Sequence, residues 1–194
     1  KKVLEVNGIK PTSICEVGCG SGAGLASLRG IYPDAHLVGY DIAPDAEKFW
    51  EKYVDQNIVF HLADFVKAEP AFYDTLLLLD VLEHIADPHS FLLAVKKNAG
   101  HIVIHFPLDL SALSVLRGSP LLHVRRKVGH IHYFTKELAL ELLDECGFET
   151  IDHQYTGAAM SSPQRGQASK LFSLLRWLVY CLNKDLGVRL LGGE

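Results

Sequence analysis

Basic residues are not in excess. Against 19 lysines and arginines stand 23 aspartates and glutamates, a net charge of −4 over 194 residues. That balance excludes a general nucleic-acid binder, which carries a basic face; the local exception is Arg125-Arg126-Lys127. Cysteine is scarce: Cys15, Cys19, Cys146 and Cys181 form no C-x-x-C pair and no disulfide-dense spacing. They read as reduced thiols of a cytoplasmic protein. No charged segment followed by an apolar core opens the chain, so nothing points to secretion. No apolar run approaches the roughly 20 residues that a membrane-spanning helix needs. Internal repeats and low-complexity tracts are absent too. Both ends read as clipped: Lys1 to Lys10 suits the tail of a helix, and Gly192-Gly193-Glu194 follows directly on an apolar pair.

What is present is an ordinary globular composition, 48% hydrophobic and 22% charged, in a length that fits one domain with a sizeable core. Strand-like apolar runs alternate with helical patterns. Strands are expected at Ser13 to Val17, His36 to Ile42, Asn57 to Asp64, Tyr73 to Asp80, His101 to Pro107 and Phe148 to Tyr155. The run Leu76 to Leu79 has no polar alternation, as befits a central parallel strand buried on both faces. Helices are expected from Gly22 to Gly30, after Pro44, and from Asp87-Pro88 through Phe91, Leu92 and Val95. Thr135 caps a further helix whose Leu138, Leu142, Leu143 and Cys146 share a face, closed by Gly147. Such alternation means right-handed crossovers and a doubly wound α/β sheet, with ligands bound beyond the carboxyl ends of its strands. Met160 to Ser169 is the best candidate for a flexible loop.

Directly after the first strand comes Glu16-Val17-Gly18-Cys19-Gly20-Ser21-Gly22-Ala23-Gly24, where glycines allow a tight turn and close backbone approach to a cofactor. Asp41 ends the second strand about 20 residues on, where a carboxylate takes the hydroxyls of an adenosine ribose. Gly18-x-Gly20-x-x-Ala23 also fits the dinucleotide fingerprint, so on these two features a nicotinamide or flavin cofactor stays open.

Further motifs decide between them. Ile14 to Gly22 resembles motif I of class I S-adenosylmethionine-dependent methyltransferases, with its acidic residue two before the first glycine. Val38-Gly39-Tyr40-Asp41-Ile42 is similar to that family's second-strand motif, and Ala63-Asp64-Phe65 to its adenine-contacting segment. Asp80 to Pro88 resembles the fourth-strand and E-H-I-x-D-P signature of the type 11 and related small-molecule methyltransferases. Gly129 to Thr135, with Gly147-Phe148, resembles the G-H-x-x-x-F-T…G-F segment of the same group. The resemblance runs in order from Ile14 to Ile151. It implies a Rossmann-like, mostly parallel sheet whose last, antiparallel strand is truncated here, and S-adenosylmethionine as cofactor. Glu16, Gly18, Cys19, Gly20 and Gly22 would then hold the methionine and ribose portions. Asp41, with Ile42 beside it, would take the ribose hydroxyls, Asp64 and the Phe65 N–H the adenine, and Asp80 and Val81 the methionine end.

Methyl transfer needs alignment and, for a hydroxyl acceptor, a base. Histidine titrates nearest neutrality, and of His84, His105, His130 and His132 the candidates are His105, at the end of the fifth strand, and His130. No metal is expected, because no H-x-x-x-H falls on a helix and His130-x-His132 is too short a signal. Residues 106–134 read as an acceptor-side insert: Leu108, Leu110, Leu113 and Leu116 make an apolar lid, and the basic cluster meets an anionic group. An amphipathic helix with a solvated charge run fits equally. Residues 157–194 read as an apolar helical region in which Leu171 to Leu182 packs a missing last strand or meets lipid, a lipid-linked acceptor or a partner subunit, as in a homodimer. The expected function is methyl transfer to a small molecule, most plausibly at oxygen, the acceptor being anionic or lipid- or sugar-linked. The rivals are a nicotinamide-dependent oxidoreductase and a non-catalytic module that keeps the cofactor fold.

Overall fold

A computed structural model describes residues 2–156 and 176–192. The expected loop Met160 to Ser169, and Leu171 to Leu175 of the apolar segment, lie outside the described residues. The chain folds into two compact units: Lys1–Leu82 with Asp87–His105, and Glu83–Ala86 with Phe106–Glu194.

The first unit is a parallel sheet with its helices. Its elements are α1 (Lys2–Val6), β1 (Ser13–Val17), α2 (Ala23–Arg29), β2 (His36–Asp41), a 3₁₀ helix (Glu47–Gln56), β3 (Ile58–Leu62), β4 (Tyr73–Leu79), α3 (Pro88–Lys96) and β5 (Ala99–His105). The strands lie in the order β3-β2-β1-β4-β5, all parallel. Strand order therefore reverses between β1 and β4, where Val17 pairs with Leu78, and the crevice for a ligand opens beyond that point. Leu76, Leu77 and Leu78 are all buried, so β4 is covered on both faces, each leucine contributing about 2 kcal/mol of burial. Ile14, Leu25, Leu37, Ile58 and Leu77 share one core. Asp87 caps α3 by accepting from the Ser90 N–H at 3.0 Å, and Pro88 needs no partner in that first turn. Arg29 ends α2 and donates to the carbonyls of Pro33, Ala35, Gln56 and Asn57, tying the helix to its flanking turns.

The second unit is built from short, individually capped helices. α4 (Ala112–Arg117) has a capping box between Ser111 and Ser114. α5 (Ser119–His123) runs into a π-helical turn, Val124–Val128, and α6 (Lys136–Glu145) follows. Residues 176–182 are helical, and Asn183 caps a last helix, Lys184–Leu191. Leu108, Phe134, Ala139 and Val188 form the core, with Phe106, Leu142, Tyr155 and Tyr180 against it. Asp185 accepts from the Lys136 ammonium, from the Tyr155 hydroxyl at 2.7 Å and from Arg189 Nε at 2.7 Å. No helix of the described residues is long and apolar enough to cross a membrane.

Four expectations are corrected. The helix after Pro44 is a 3₁₀ helix beginning at Glu47. The fifth strand runs Ala99–His105 and stops short of Pro107. Phe148 to Tyr155 is not a strand, and among the described residues the sheet has five parallel strands and no antiparallel one. Instead the Phe148 N–H donates back to the Leu143 carbonyl, and Tyr155 spends its side chain on Tyr180 and Asp185. On α6, Leu142, Leu143 and Cys146 of the expected face are half-buried or buried, but Leu138 is exposed and Ala139 takes its place in the covered stripe.

Candidate active site

The loop after β1 is fixed by backbone and side-chain donors together. The N–H groups of Gly18 and Cys19 both donate to the Tyr40 carbonyl, at 2.8 and 3.1 Å. The Gly20 N–H donates to Asp41 Oδ2 at 2.7 Å and the Ala43 N–H to Oδ1 at 2.8 Å. Trp50 Nε1 donates to the Gly20 carbonyl at 2.9 Å, its ring stacked on Phe60 with centroids 4.9 Å apart. Gly18 has φ 74° and a Cβ there would lie 2.9 Å from Val81 Cγ2, so any side chain would displace the turn after β4. Gly20 differs: φ is 51°, and a Cβ would meet nothing within 4 Å. Its α-carbon borders open space. Gly22 is the N-cap of α2.

Glu16 lies beneath this loop, 5% exposed. Its Oε2 is buried and has no hydrogen-bond partner among the described residues, and a Cβ on Gly24 would come within 2.9 Å of both its oxygens. Burial first, and then the negative charge of Asp41, push its carboxyl up to about 7. Burial, with Glu16 and Asp41 adding to it, pushes the Cys19 thiol to about 12, so Cys19 is a packing group here and not a nucleophile.

The remaining expected cofactor residues end neighbouring strands of the same unit. Ile42 is 73% exposed immediately after Asp41, and the Ala63 N–H donates to the Asp41 carbonyl at 2.9 Å. Asp64 caps the following turn through the Val66 N–H at 3.0 Å and meets Lys67 Nζ at 3.3 Å. Phe65 is buried, edge-on to Tyr40. Beyond β4, Asp80 takes a left-handed backbone, φ 54°, a conformation aspartate tolerates better than most residues and one found at functional turns. His105 Nδ1 lies 2.6 Å from Asp80 Oδ1, and the Asp80 N–H donates to the His105 carbonyl at 3.4 Å.

The other candidate histidines, His84, His130 and His132, belong to the second unit. His130 is buried, with Nδ1 2.6 Å from Asp109 Oδ2. His84 Nδ1 is 3.1 Å from the Gly129 carbonyl, and His132 Nε2 is 3.4 Å from the Ala86 carbonyl. Arg125 donates to the Ile131 carbonyl at 3.3 Å; Arg126 and Lys127 are exposed. In the insert Leu108 is buried while Leu116 is exposed.

A methyltransferase-domain family matches residues 2–153, well over half of the chain. The chain belongs to that family. Among curated relatives this methyltransferase domain is similar to a ubiquinone biosynthesis O-methyltransferase of Glaesserella parasuis, 26% identical over 102 residues, 47% of this chain and 42% of the relative. The chain thus matches less than half the length of that relative. Among solved structures it is similar to a magnesium protoporphyrin IX methyltransferase of Synechocystis with bound SAH (TM-score 0.56, 22% identity, 76% of this chain and 69% of that one). It is also similar to a putative O-methyltransferase of Nostoc punctiforme (TM-score 0.61, 16% identity, 77% and 49%). These likenesses establish the fold of the domain, a methyltransferase-type Rossmann-like sheet.

Sequence reasoning missed two residues. Trp50 holds the glycine loop by its indole N–H, and no motif marks it. Asp109, the partner of His130, lies in a leucine-rich stretch read for its apolar residues. A carboxylate near a candidate histidine could have been sought, but 21 residues separate the pair.

Proposed function

We propose that this methyltransferase domain transfers a methyl group from S-adenosylmethionine to an oxygen of a small-molecule acceptor, with His105 as base and Asp80 orienting it. The observation that carries this reading is the 2.6 Å contact between His105 Nδ1 and Asp80 Oδ1. It lies at the carboxyl edge of the sheet, on the turn that packs against the glycine loop through Val81 and Gly18. The O-methyltransferase name of the curated relative supports oxygen as the acceptor atom.

The residues present fit the cofactor. The buried Oε2 of Glu16, which no donor among the described residues reaches, suits a hydrogen bond from the bound molecule, and the open space at Gly20 lets the backbone come close to it. Asp41 holds the loop with one lone pair on each oxygen and keeps others for the cis-diol of a ribose. Exposed Ile42 offers an apolar face to the adenine, whose amino group and ring nitrogen Asp64 and the Phe65 N–H would meet. Cys19 and Gly22 shape the loop, and Asp80 and Val81 border the methionine end.

The cofactor supplies a sulfonium methyl that is already electrophilic, so the protein contributes alignment and proton removal. With the Nδ1 proton donated to Asp80, the His105 lone pair is on Nε2. Transfer of the methyl to the acceptor oxygen would leave the S–C electron pair on sulfur, and His105 is placed to take the hydroxyl proton so released. The hydroxyl proton passes to Nε2, and Asp80 stabilises the imidazolium. His130 is the less favoured base because its ring is nearly enclosed. Exposed Arg126 and Lys127, with Arg125, are read as the cations that meet an anionic acceptor, lipid- or sugar-linked.

The first test is calorimetric titration of the wild type and Asp41→Ala with S-adenosylmethionine and S-adenosylhomocysteine. Saturable binding that weakens by about 100-fold or more in the variant supports the cofactor site, since two N–H anchors and the diol contacts are lost together. With an acceptor found by screening hydroxylated compounds, His105→Ala should lower kcat by roughly 10²- to 10⁴-fold at neutral pH. An unchanged kcat would sink the assignment of the base. A variant with Arg125, Arg126 and Lys127 all replaced by alanine should raise KM for an anionic acceptor and leave kcat alone; equal KM removes that part of the reading.

A further inference from the structure

The second unit brings a carboxylate and two imidazoles to one point. Glu83 is 0% exposed, and its Oε1 lies 3.9 Å from His84 Nε2 and 4.0 Å from His130 Nε2. Ligand atoms of Glu83, His84 and His130 all fall within 4.8 Å of one another. Two features make this more than a chance cluster. Each histidine commits Nδ1 elsewhere, His130 to the Asp109 carboxylate at 2.6 Å and His84 to the Gly129 carbonyl at 3.1 Å. Donation from both Nδ1 atoms puts both lone pairs on Nε2, and both Nε2 atoms then converge on the same glutamate oxygen. Second, the two segments are pinned to each other: the N–H groups of Ile131 and His132 donate to the Glu83 carbonyl at 2.8 and 3.2 Å. The rings are held edge to face with centroids 5.1 Å apart.

Separations of 3.9 and 4.0 Å exceed hydrogen-bond length. They are a few tenths of an ångström wider than the roughly 3.4 Å that separates ligand atoms in a tetrahedral shell with bonds of about 2.0–2.2 Å, so a small inward shift of the three side chains brings them onto one ion. Imidazole ligands whose other nitrogen is donated to a carboxylate or a backbone carbonyl are the usual outer-shell arrangement of a metal centre. We propose that Glu83, His84 and His130 bind a divalent first-row transition cation, with Asp109 and the Gly129 carbonyl as its outer shell. Two neutral nitrogens and one carboxylate select zinc, iron, cobalt or manganese over calcium and magnesium, which take oxygen ligands. Three protein ligands leave at least one coordination position for water or a ligand oxygen, and the His84 side chain, 39% exposed, puts solvent on that side. This runs against the absence of a metal expected from sequence. The ligands are split between 83–84 and 130, and no local spacing reveals such a pair of segments.

The experiment is isothermal titration of the chelator-stripped full chain with zinc sulfate, repeated on His84→Ala, His130→Gln and Asp109→Asn, with His132→Ala as the neighbouring control. The expected result is one zinc per chain in the wild type and His132→Ala, with thermal midpoints raised by the metal. Affinity should fall at least 100-fold in His84→Ala and His130→Gln, and by roughly 10- to 100-fold in Asp109→Asn. Loading with cobalt(II) gives a second readout, visible d–d bands in the wild type that are lost in His84→Ala; the His84 side chain is 39% exposed, and the fold of the variant is checked by circular dichroism. Absence of saturable zinc binding, or unchanged stoichiometry and affinity in His84→Ala and His130→Gln, overturns the proposal. Either result is independent of S-adenosylmethionine binding, which resides in the other unit.

Discussion

The two compact units are held by different bonds. In the sheet unit, parallel backbone ladders run through a core of Ile14, Leu25, Leu37, Leu76, Leu77 and Leu78, and polar side chains act mainly at strand ends. In the second unit no ladder exists among the described residues. Short helices are capped one by one, and a charged network of Lys136, Glu137, Tyr155, Asp185 and Arg189 ties α6 to the last helix. Apolar burial stabilises the first by about 2 kcal/mol per large side chain. Exposed ion pairs contribute about 0–1 kcal/mol each to the second. The sheet unit is therefore the more firmly held frame, and the second unit can vary its surface at small cost.

The sharpest test of that contrast is a pair of core truncations. Leu78→Ala, at a position with no exposure, should cost about 3–4 kcal/mol, and Leu108→Ala, in the smaller core, about 2. Denaturant melts followed by Trp50 fluorescence report the first unit and by Trp177 the second; equal losses would break the comparison. Next in size is the pH dependence set by Glu16. Burial raises its folded-state value above the unfolded 4.5 to about 7, so its favourable contribution is full below the unfolded value and is lost as pH rises through the folded one. Between about pH 4.5 and pH 8 the ligand-free wild type should lose about 3 kcal/mol relative to Glu16→Gln. Parallel stability curves would show that Glu16 is ionised throughout. Thr75→Val follows, because the buried Thr75 hydroxyl in β4 has no partner among the described residues; a gain of about 1 kcal/mol is expected in the same melts. Smallest is Asp185→Asn, which should cost under about 1 kcal/mol because the network is half in water. That loss should vanish as acid protonates Asp185, whose carboxyl is held well below the usual range by Lys136, Tyr155 and Arg189.

Legibility followed the same division. β1 was readable to the residue, since Ser13–Val17 is an apolar run closed by glycines, and the glycine loop with Asp41 is a local pattern whose geometry each residue type dictates. β4 was readable except for its end, where Asp80 leaves the strand in a left-handed turn. Phe148 to Tyr155 has strand-like composition and forms no strand, because β structure needs a partner edge and Tyr155 is engaged by Tyr180 and Asp185 instead. On α6 the expected face holds at Leu142, Leu143 and Cys146, and at its start only packing with Val188 and Phe134 selected Ala139 over Leu138. The pairings of His105 with Asp80 and of His130 with Asp109 join residues 25 and 21 positions apart, beyond the reach of any spacing rule.

By itself, then, the sequence determined the alternation of strand and helix, the crossover sheet and the loop that approaches a cofactor. Those depend on backbone freedom and on periodic burial, both of which are local properties of the chain. Which carboxylate orients which histidine, what Trp50 clamps, and the meeting of Glu83 with His84 and His130 were decided only by tertiary structure. Such contacts depend on the distance between segments, and that distance exists only once the core has closed.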